Sequence, residues 1–436
     1  MEWWLIGVIC FVFLVLLLMI GIPVAFSLCF VSMVVMYFLW GFDGLMMVAS
    51  SAYTTNASFL LIAIPLFIFM GECVAVSGIG NDAFKMIDIW LGWVPGGVAV
   101  TAVGCCTIFG AVTGFAPATC SALGPGIIPE MIKRKYDKGL GLGALAGGAG
   151  LAIIIPPSIL MIIYGSLAEI SVGRLFYAGV IPGLIIAGVF VLYIIFRAIF
   201  NPEMAPSPER VHSGLAEKLR ISAYILPLLL LVFLVLGSIW GGVASPSEAA
   251  ALGAFGSICL LLFYRKLNWD ILRRILLSTI QVNCMVMFIL IGGTLFTQIM
   301  AGTGFASELA AWVTSLPVSR WFIFALMQIL IILAGCLMDP ASILFIFTPI
   351  YLPIVKALGF DLYWFGILTM INCGIATITP PVGIVLYVIK GVAPPEVSLN
   401  DVIQGSAPYW LLYILGMLPV IFFEGLVTWL PNMLIK

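Results

Sequence analysis

The chain has 436 residues, of which 63% are hydrophobic and 8% charged, with a formal net charge of −1. Soluble domains carry roughly 25% charged residues, so the composition excludes a soluble enzyme or a nucleic-acid-binding protein and requires an integral membrane protein. The apolar residues come in long uncharged runs, and about 20 such residues cross a hydrocarbon core of roughly 30 Å.

Residues 3–20 open the chain, with Trp3 and Trp4 at interface level. No basic n-region and no small-residue cleavage pattern accompany them, so the segment reads as a first span rather than a signal peptide. Further spans are expected at 22–40, 58–77, 139–165 and 176–197 in the first half. In the second half they fall at 221–240, 248–264, 275–300, 362–389 and 408–430. Segments 78–93 and 301–316 read as amphipathic surface helices. Two more apolar stretches, 96–132 and 318–356, are too long for one span and too rich in Gly and Pro for a straight helix. The polar stretch 198–220 links the two halves.

Three basic clusters set the orientation. They are Lys133, Arg134, Lys135 and Lys138; Arg197, Arg210, Lys218 and Arg220; and Arg265, Lys266, Arg273 and Arg274. If all three face the cytoplasm, the N-terminus is outside. That count holds only if 96–132 and 318–356 each enter and leave on one side, as re-entrant helical hairpins. The expected fold is therefore all-α: about ten transmembrane helices plus two re-entrant hairpins.

The halves repeat one pattern. Pro156-Pro157 is matched by Pro380-Pro381, 224 residues later, and Pro125 and Pro129 find Pro349 and Pro353 at the same offset. Ser77-Gly78 finds Thr303-Gly304 at an offset of 226. Each half carries an odd number of spans, five, so the second copy is inverted relative to the first. Inverted repeats are the architecture of many secondary transporters.

Backbone polar groups left free in lipid cost several kcal/mol each, so interrupted helices occur only where they line a protein cavity. This chain interrupts four intramembrane segments in two equivalent pairs. The first pair is the tip around Thr113, Gly114, Ala118 and Thr119 and the break at Pro156, Pro157 and Ser158, preceded by Gly150. The prolines leave carbonyls unpaired. With the hydroxyls of Thr113, Thr119 and Ser158 these form an oxygen shell suited to Na⁺. The second pair is the tip from Gly335 through Asp339 to Ser342 and the break from Thr377 through Thr379, Pro380 and Pro381 to Gly383. Asp339 is an intramembrane carboxylate and thus a candidate cation ligand, although Asp-Pro equally suits a helix N-cap. A second sodium ion is expected near Asp339, Thr377 and Thr379. No Lys or Arg stands near either tip. An anionic substrate would have to be met by cations, helix dipoles and backbone N–H groups, which makes sodium co-transport obligatory.

Other chemistry finds little support. The ten cysteines sit in apolar runs without a CxxC, the single histidine, His212, lies in the linker, and no nucleotide or hydrolase motif is present. No cofactor and no enzymatic activity are expected. Glu72, Glu248 and Glu424 read as structural or interface residues, with Glu424 inside the last span.

The run Gly110-Ala111-Val112-Thr113-Gly114 through Ala118-Thr119, then Pro129-Glu130-Met131, Pro156-Pro157-Ser158, Ala244-Ser245-Pro246-Ser247-Glu248, Asp339-Pro340 and Ile378-Thr379-Pro380-Pro381-Val382-Gly383 occur in a recognisable order. Together they resemble the large membrane subunit of tripartite ATP-independent periplasmic (TRAP) transporters, within the ion-transporter superfamily, from about residue 5 to 430. The resemblance implies a small four-helix membrane subunit and a periplasmic substrate-binding protein as partners, in a bacterial inner membrane. It also implies sodium-driven uptake of an organic anion, a carboxylate above all, by an elevator movement. On this chain the transport domain would comprise 58–165 and 275–390. The scaffold would comprise 1–57, 166–274 and 391–436. A stand-alone sodium/dicarboxylate symporter and a channel are the rival readings.

Overall fold

The computed structural model describes residues 2–206 and 214–434, and among these there are helices and turns but no strand. His212, Arg210 and Lys436 lie outside the described residues, as does the middle of the linker. The first half contains α1 (Trp3–Met19), α2 (Val24–Asn56), α3 (Ala63–Ser77), α4 (Ile79–Leu91), α5 (Gly97–Thr113), α6 (Ala116–Lys133), α7 (Lys138–Gly150), α8 (Ile159–Ala168) and α9 (Val172–Phe200). The linker carries α10 (Leu215–Ser222). The second half contains α11 (Leu226–Trp240), α12 (Pro246–Phe263), α13 (Trp269–Gly302), α14 (Phe305–Ser315), α15 (Arg320–Gly335), α16 (Pro340–Ala357), α17 (Leu362–Thr377), α18 (Ile384–Val392), α19 (Leu399–Phe422) and α20 (Gly425–Leu434).

Among the described residues, eight helical stretches are long and apolar enough to cross a membrane: α2, α3 with its preceding turn, α9, α10 with α11, α12, α13, α16 and α19. Large apolar side chains such as Phe38, Phe233 and Leu411 stand fully outward on these helices, a surface only lipid or another membrane protein can cover. The stretches 96–132 and 318–356 are helical hairpins, α5–α6 and α15–α16. The spans expected at 139–165 and 362–389 are interrupted helices, α7–α8 and α17–α18.

Two boundaries differ from the expectation. The second span does not end at residue 40. Gly41 takes φ 61° and ψ −141°, which kinks the chain while helix continues to Asn56. The last span is also not one helix over 408–430. α19 starts at Leu399 with a Ser398/Asp401 capping box and ends at Phe422, and α20 follows. Glu424 is therefore not inside a span. It sits exposed in the joint, and its carbonyl accepts from the Val427 and Thr428 amides.

The repeat is visible bond by bond. After α6, Lys135 is left-handed (φ 55°), and after α16, Gly359 is left-handed (φ 72°), 224 residues on. The Lys135 amide donates to Ile132 and the Gly359 amide to Lys356; Tyr136 donates to Met131 and Phe360 to Val355. Asp137 then caps α7 through the Leu140 amide at 2.9 Å, as Asp361 caps α17 through the Trp364 amide at 2.8 Å. These are the same helix-stop and helix-start devices at one constant offset. Gly150 and Gly374, also 224 apart, meet each other. A methyl group on Gly150 would lie 3.3 Å from the Gly374 carbonyl oxygen. In this contact a residue touches its own counterpart in the other half.

Close backbone approach holds the centre together. Gly139, Gly143 and Gly147 recur every fourth residue on α7, and Gly405, Tyr409 and Tyr413 recur every fourth residue on α19. A Cβ on Gly143 would collide with the Gly405 carbonyl, and one on Gly147 with the Tyr409 ring. The Tyr413 hydroxyl donates to the Gly147 carbonyl at 2.8 Å. Small residues at such spacing let membrane helices pack by van der Waals contact, where the hydrophobic effect offers nothing.

Candidate functional site

The two tips and the two breaks converge. A cavity of about 50 Å³ is lined by Gly114 to Pro117 at the first tip and by Ile153, Ile159 and Leu160 around the first break. Asp339 to Ala341 line it at the second tip, and Thr377 and Ile384 on either side of the second break. Val282, Met285, Val286 and Ile289 of α13 form an apolar wall.

The arrangement of helix ends follows from the sequence. Gly114 (φ 58°) stops α5, and Pro117 sits in the first turn of α6. Pro156-Pro157 ends the α7 run, and Ser158 starts α8. Asp339-Pro340 starts α16. Thr379-Pro380-Pro381 separates α17 from α18, and Gly383 starts α18. Both Pro-Pro bonds are cis. First-turn residues of four helices, α6, α8, α16 and α18, therefore line one space. Their positive dipole ends point at this space, although the Ile159 amide is taken by the Gly114 carbonyl and the Ala341 and Ser342 amides by Asp339. The C-terminal ends of α5 and α17 contribute carbonyls beside them.

At the first tip, the Thr113 and Thr119 hydroxyls are fully buried and 2.6 Å apart, and Thr113 also donates to the Phe109 carbonyl. The Ile159 amide donates to the Gly114 carbonyl at 3.3 Å, which ties tip to break. A Cβ on Gly114 would press on the Pro157 carbonyl, 2.6 Å away, so only glycine allows this contact. The Ser158 hydroxyl is buried and has no hydrogen-bond partner among the described residues. Such a group calls for an occupant.

At the second tip, Asp339 caps α16. Its Oδ2 accepts from the Ala341 and Ser342 amides at 3.0 and 3.2 Å, and its Oδ1 accepts from the Ser342 hydroxyl. It also lines the cavity. Gly335 lies against Ala376. Thr377 and Thr379 donate to the Gly374 and Ile375 carbonyls, both at 2.7 Å.

Of the residues singled out in the sequence, Gly114, Asp339 and Thr377 line the cavity. Thr113, Thr119, Pro157, Ser158 and Ser342 do not line it, but each lies within two residues of one that does. Gly150 does not face it, but packs on Tyr413 and Gly374. Ala118, Pro156, Gly335, Thr379, Pro380, Pro381 and Gly383 shape the tips and breaks without lining it. The α13 wall was not foreseen, because its four residues look like any apolar span. Nor was the buried Asn372–Gln328 amide pair joining α17 to α15. Two polar residues 44 positions apart carry no pairing signal. No Lys or Arg lines the cavity.

Comparison with known proteins fits this architecture. The family model described as tripartite ATP-independent periplasmic transporter, DctM component, matches residues 11–426. The C4-dicarboxylate TRAP transporter large permease protein DctM of Pseudomonas aeruginosa is 33% identical over 90% of this chain and 91% of its own length. The isethionate TRAP transporter permease protein DctMQ of Oleidesulfovibrio alaskensis is 30% identical over 89% of this chain and 61% of its own length. The YdaH transporter of Alcanivorax borkumensis shares the fold, with a TM-score of 0.60 at 17% identity over 88% of this chain and 89% of that one.

Proposed function

The chain belongs to the DctM component family of tripartite ATP-independent periplasmic transporters, and from that premise we propose that it imports a small organic anion together with sodium ions. The carrying observation is the single cavity on which four helix N-termini converge without any basic side chain. Dipole ends alone are worth about 0.3–1 kcal/mol each when exposed, too little to hold a dehydrated anion in an apolar chamber. Bound cations supply the remaining charge.

Two donor sets fit a hard monovalent cation, which takes oxygen ligands. One combines the Thr113, Thr119 and Ser158 hydroxyls with carbonyls of the first tip and break. The other combines Asp339, Ser342, Thr377 and Thr379 with carbonyls of the second. Each set lies beside a helix N-terminus, so a filled cation site and the anion stabilise each other. The substrate class rests on relatives named for C4-dicarboxylate and isethionate, both small organic anions.

On the same reading, the hairpins and interrupted helices move as an elevator against a scaffold. α5–α6 and α15–α16 enter the inner membrane from opposite sides, and the N-terminus is periplasmic. The partners are a small membrane subunit, in keeping with a relative named DctMQ, and a periplasmic binding protein. Uptake into proteoliposomes carrying this chain and candidate partners tests the proposal. Sodium-dependent, saturable uptake that needs the binding protein is expected. Sodium-independent uptake would refute the coupling, and uptake without partners would favour a stand-alone symporter.

A further inference from the structure

At the far end of α7 from the break, a second cavity of about 390 Å³ opens between the start of α7, the end of α9 and the start of α19. Its polar lining is Asp137, Lys138, Tyr193, Arg197, Asp401, Gln404 and Tyr409, whose buried hydroxyl has no partner among the described residues. Three of the four charged groups are already committed. Asp137 accepts from the Leu140 amide at the start of α7. Asp401 accepts from the Ser398 amide at 2.8 Å in the capping box of α19. Each carboxylate thus answers the partial positive charge of a helix N-terminus. Lys138 donates to the Glu396 carbonyl at 2.7 Å and stands 3.7 Å from Asp401.

Arg197 is left over. Its one hydrogen-bond partner among the described residues is the Met204 thioether at 3.4 Å, a weak acceptor. Its Nε is buried with no partner, and it forms no ion pair among the described residues, although two carboxylates line the same cavity. Tyr193 precedes it by one turn on the same face of α9. Neither Tyr193 nor Gln404 makes a side-chain hydrogen bond among the described residues. The uncommitted groups are therefore mainly donors: a guanidinium, two phenols and an amide. A half-buried charge at the end of an apolar helix, without a counter-ion, is unfavourable unless an anion completes it.

We propose that this cavity binds a phosphate-type oxyanion. The Arg197 fork takes two of its oxygens, and Tyr193 and Gln404 donate to the others. The ligand would join the end of α9 to the starts of α7 and α19. Its source is either the phosphodiester of a phospholipid headgroup, since basic pockets between helices at the membrane surface recognise such groups, or free phosphate.

The full chain, purified in detergent, separates the two. Thermal unfolding is followed in sodium phosphate against sodium chloride at matched ionic strength, and retained phospholipid is measured by native mass spectrometry. A phosphate-dependent rise in Tm that Arg197→Gln abolishes identifies free phosphate. Retained phospholipid that Arg197→Gln loses, without a phosphate effect on Tm, identifies the headgroup. Tyr193→Phe, which removes one donor and keeps the ring, is expected to weaken either signal severalfold and guards against misfolding of the first variant. Lys266→Gln, at an exposed cation elsewhere, leaves both signals unchanged. The proposal fails if the wild type shows neither signal, or if Arg197→Gln and Tyr193→Phe both match it. Neither measurement involves transport, so the result is independent of the function proposed above.

Discussion

Asp339 both caps α16 and lines the central cavity, and two substitutions separate these roles. Asp339→Asn keeps a side-chain oxygen for the Ala341 and Ser342 amides, now 3.0 and 3.2 Å from Oδ2, and Asn caps helices about as well as Asp. Thermal stability should therefore hold to within about 1 kcal/mol. Asp339→Ala removes the acceptor altogether and should cost about 1–2 kcal/mol. The charge is a different matter. A carboxylate about 4 Å from a bound cation contributes on the order of 4 kcal/mol at an effective dielectric constant of about 20. Each 1.4 kcal/mol is about tenfold in affinity. Even if cation dehydration offsets most of that, Asp339→Asn should raise half-saturating sodium tenfold or more while the protein stays folded. The assay is uptake into proteoliposomes across a sodium titration, paired with thermal unfolding of the same preparation. A normally folded Asp339→Asn protein with wild-type sodium dependence would remove Asp339 from cation binding and leave it a helix cap.

Four further outcomes are expected. Ser158→Ala removes a buried hydroxyl without a hydrogen-bond partner among the described residues, so it should leave Tm unchanged or slightly raised yet raise half-saturating sodium; a wild-type sodium curve would contradict the first cation site. Gly143→Ala drives a methyl into the Gly405 carbonyl; backbone cannot swing aside, so α7 and α19 must part, at about 1–3 kcal/mol, read as a lowered Tm. Asn372→Ala orphans the buried Gln328 amide and should cost about 1–3 kcal/mol, most of it recovered when Gln328→Leu is added; a double-mutant cycle on unfolding measures this. Arg134 makes a two-pronged contact with Asp88 at 2.8 and 3.1 Å, whose hydrogen bonds push its guanidinium above the usual range. Arg134→Lys offers one point charge in place of the fork and should destabilise by about 1 kcal/mol, read as a lowered Tm.

Much of the architecture was legible because Pro and Gly act locally. A Pro-Pro pair ends a helix whatever surrounds it, so both interrupted helices and both hairpins could be placed from sequence. Their repetition at one offset supplied the pairing. Asp339 was legible too, since a carboxylate in an apolar run has few uses. Where the reading failed, the deciding interactions were not local. Hydropathy ends a span near Gly41 and Asp43, but helix can turn at a left-handed glycine and continue. Residues 408–430 look like one apolar stretch, yet the chain leaves the helix at Phe423, where Glu424-Gly425 is the only charged interruption and hydropathy alone passes over it. The wall formed by Val282, Met285, Val286 and Ile289 is unmarked, because apolar residues facing a cavity and apolar residues facing lipid are the same letters. Gly150 precedes the break in sequence, but it lies outside the cavity lining and packs on Tyr413 and Gly374, a long-range contact no local pattern signals.

The contact between Gly150 and Gly374 bears on direction. On the proposed inverted repeat the two halves offer similar backbone frames to either side of the bilayer, so the frame itself holds no arrow. On the function proposed above, what makes flow one-way comes from outside it, through the sodium gradient and through a partner found on one face only. Inverting that gradient across a liposome that holds the chain and its partners should send the solute back out.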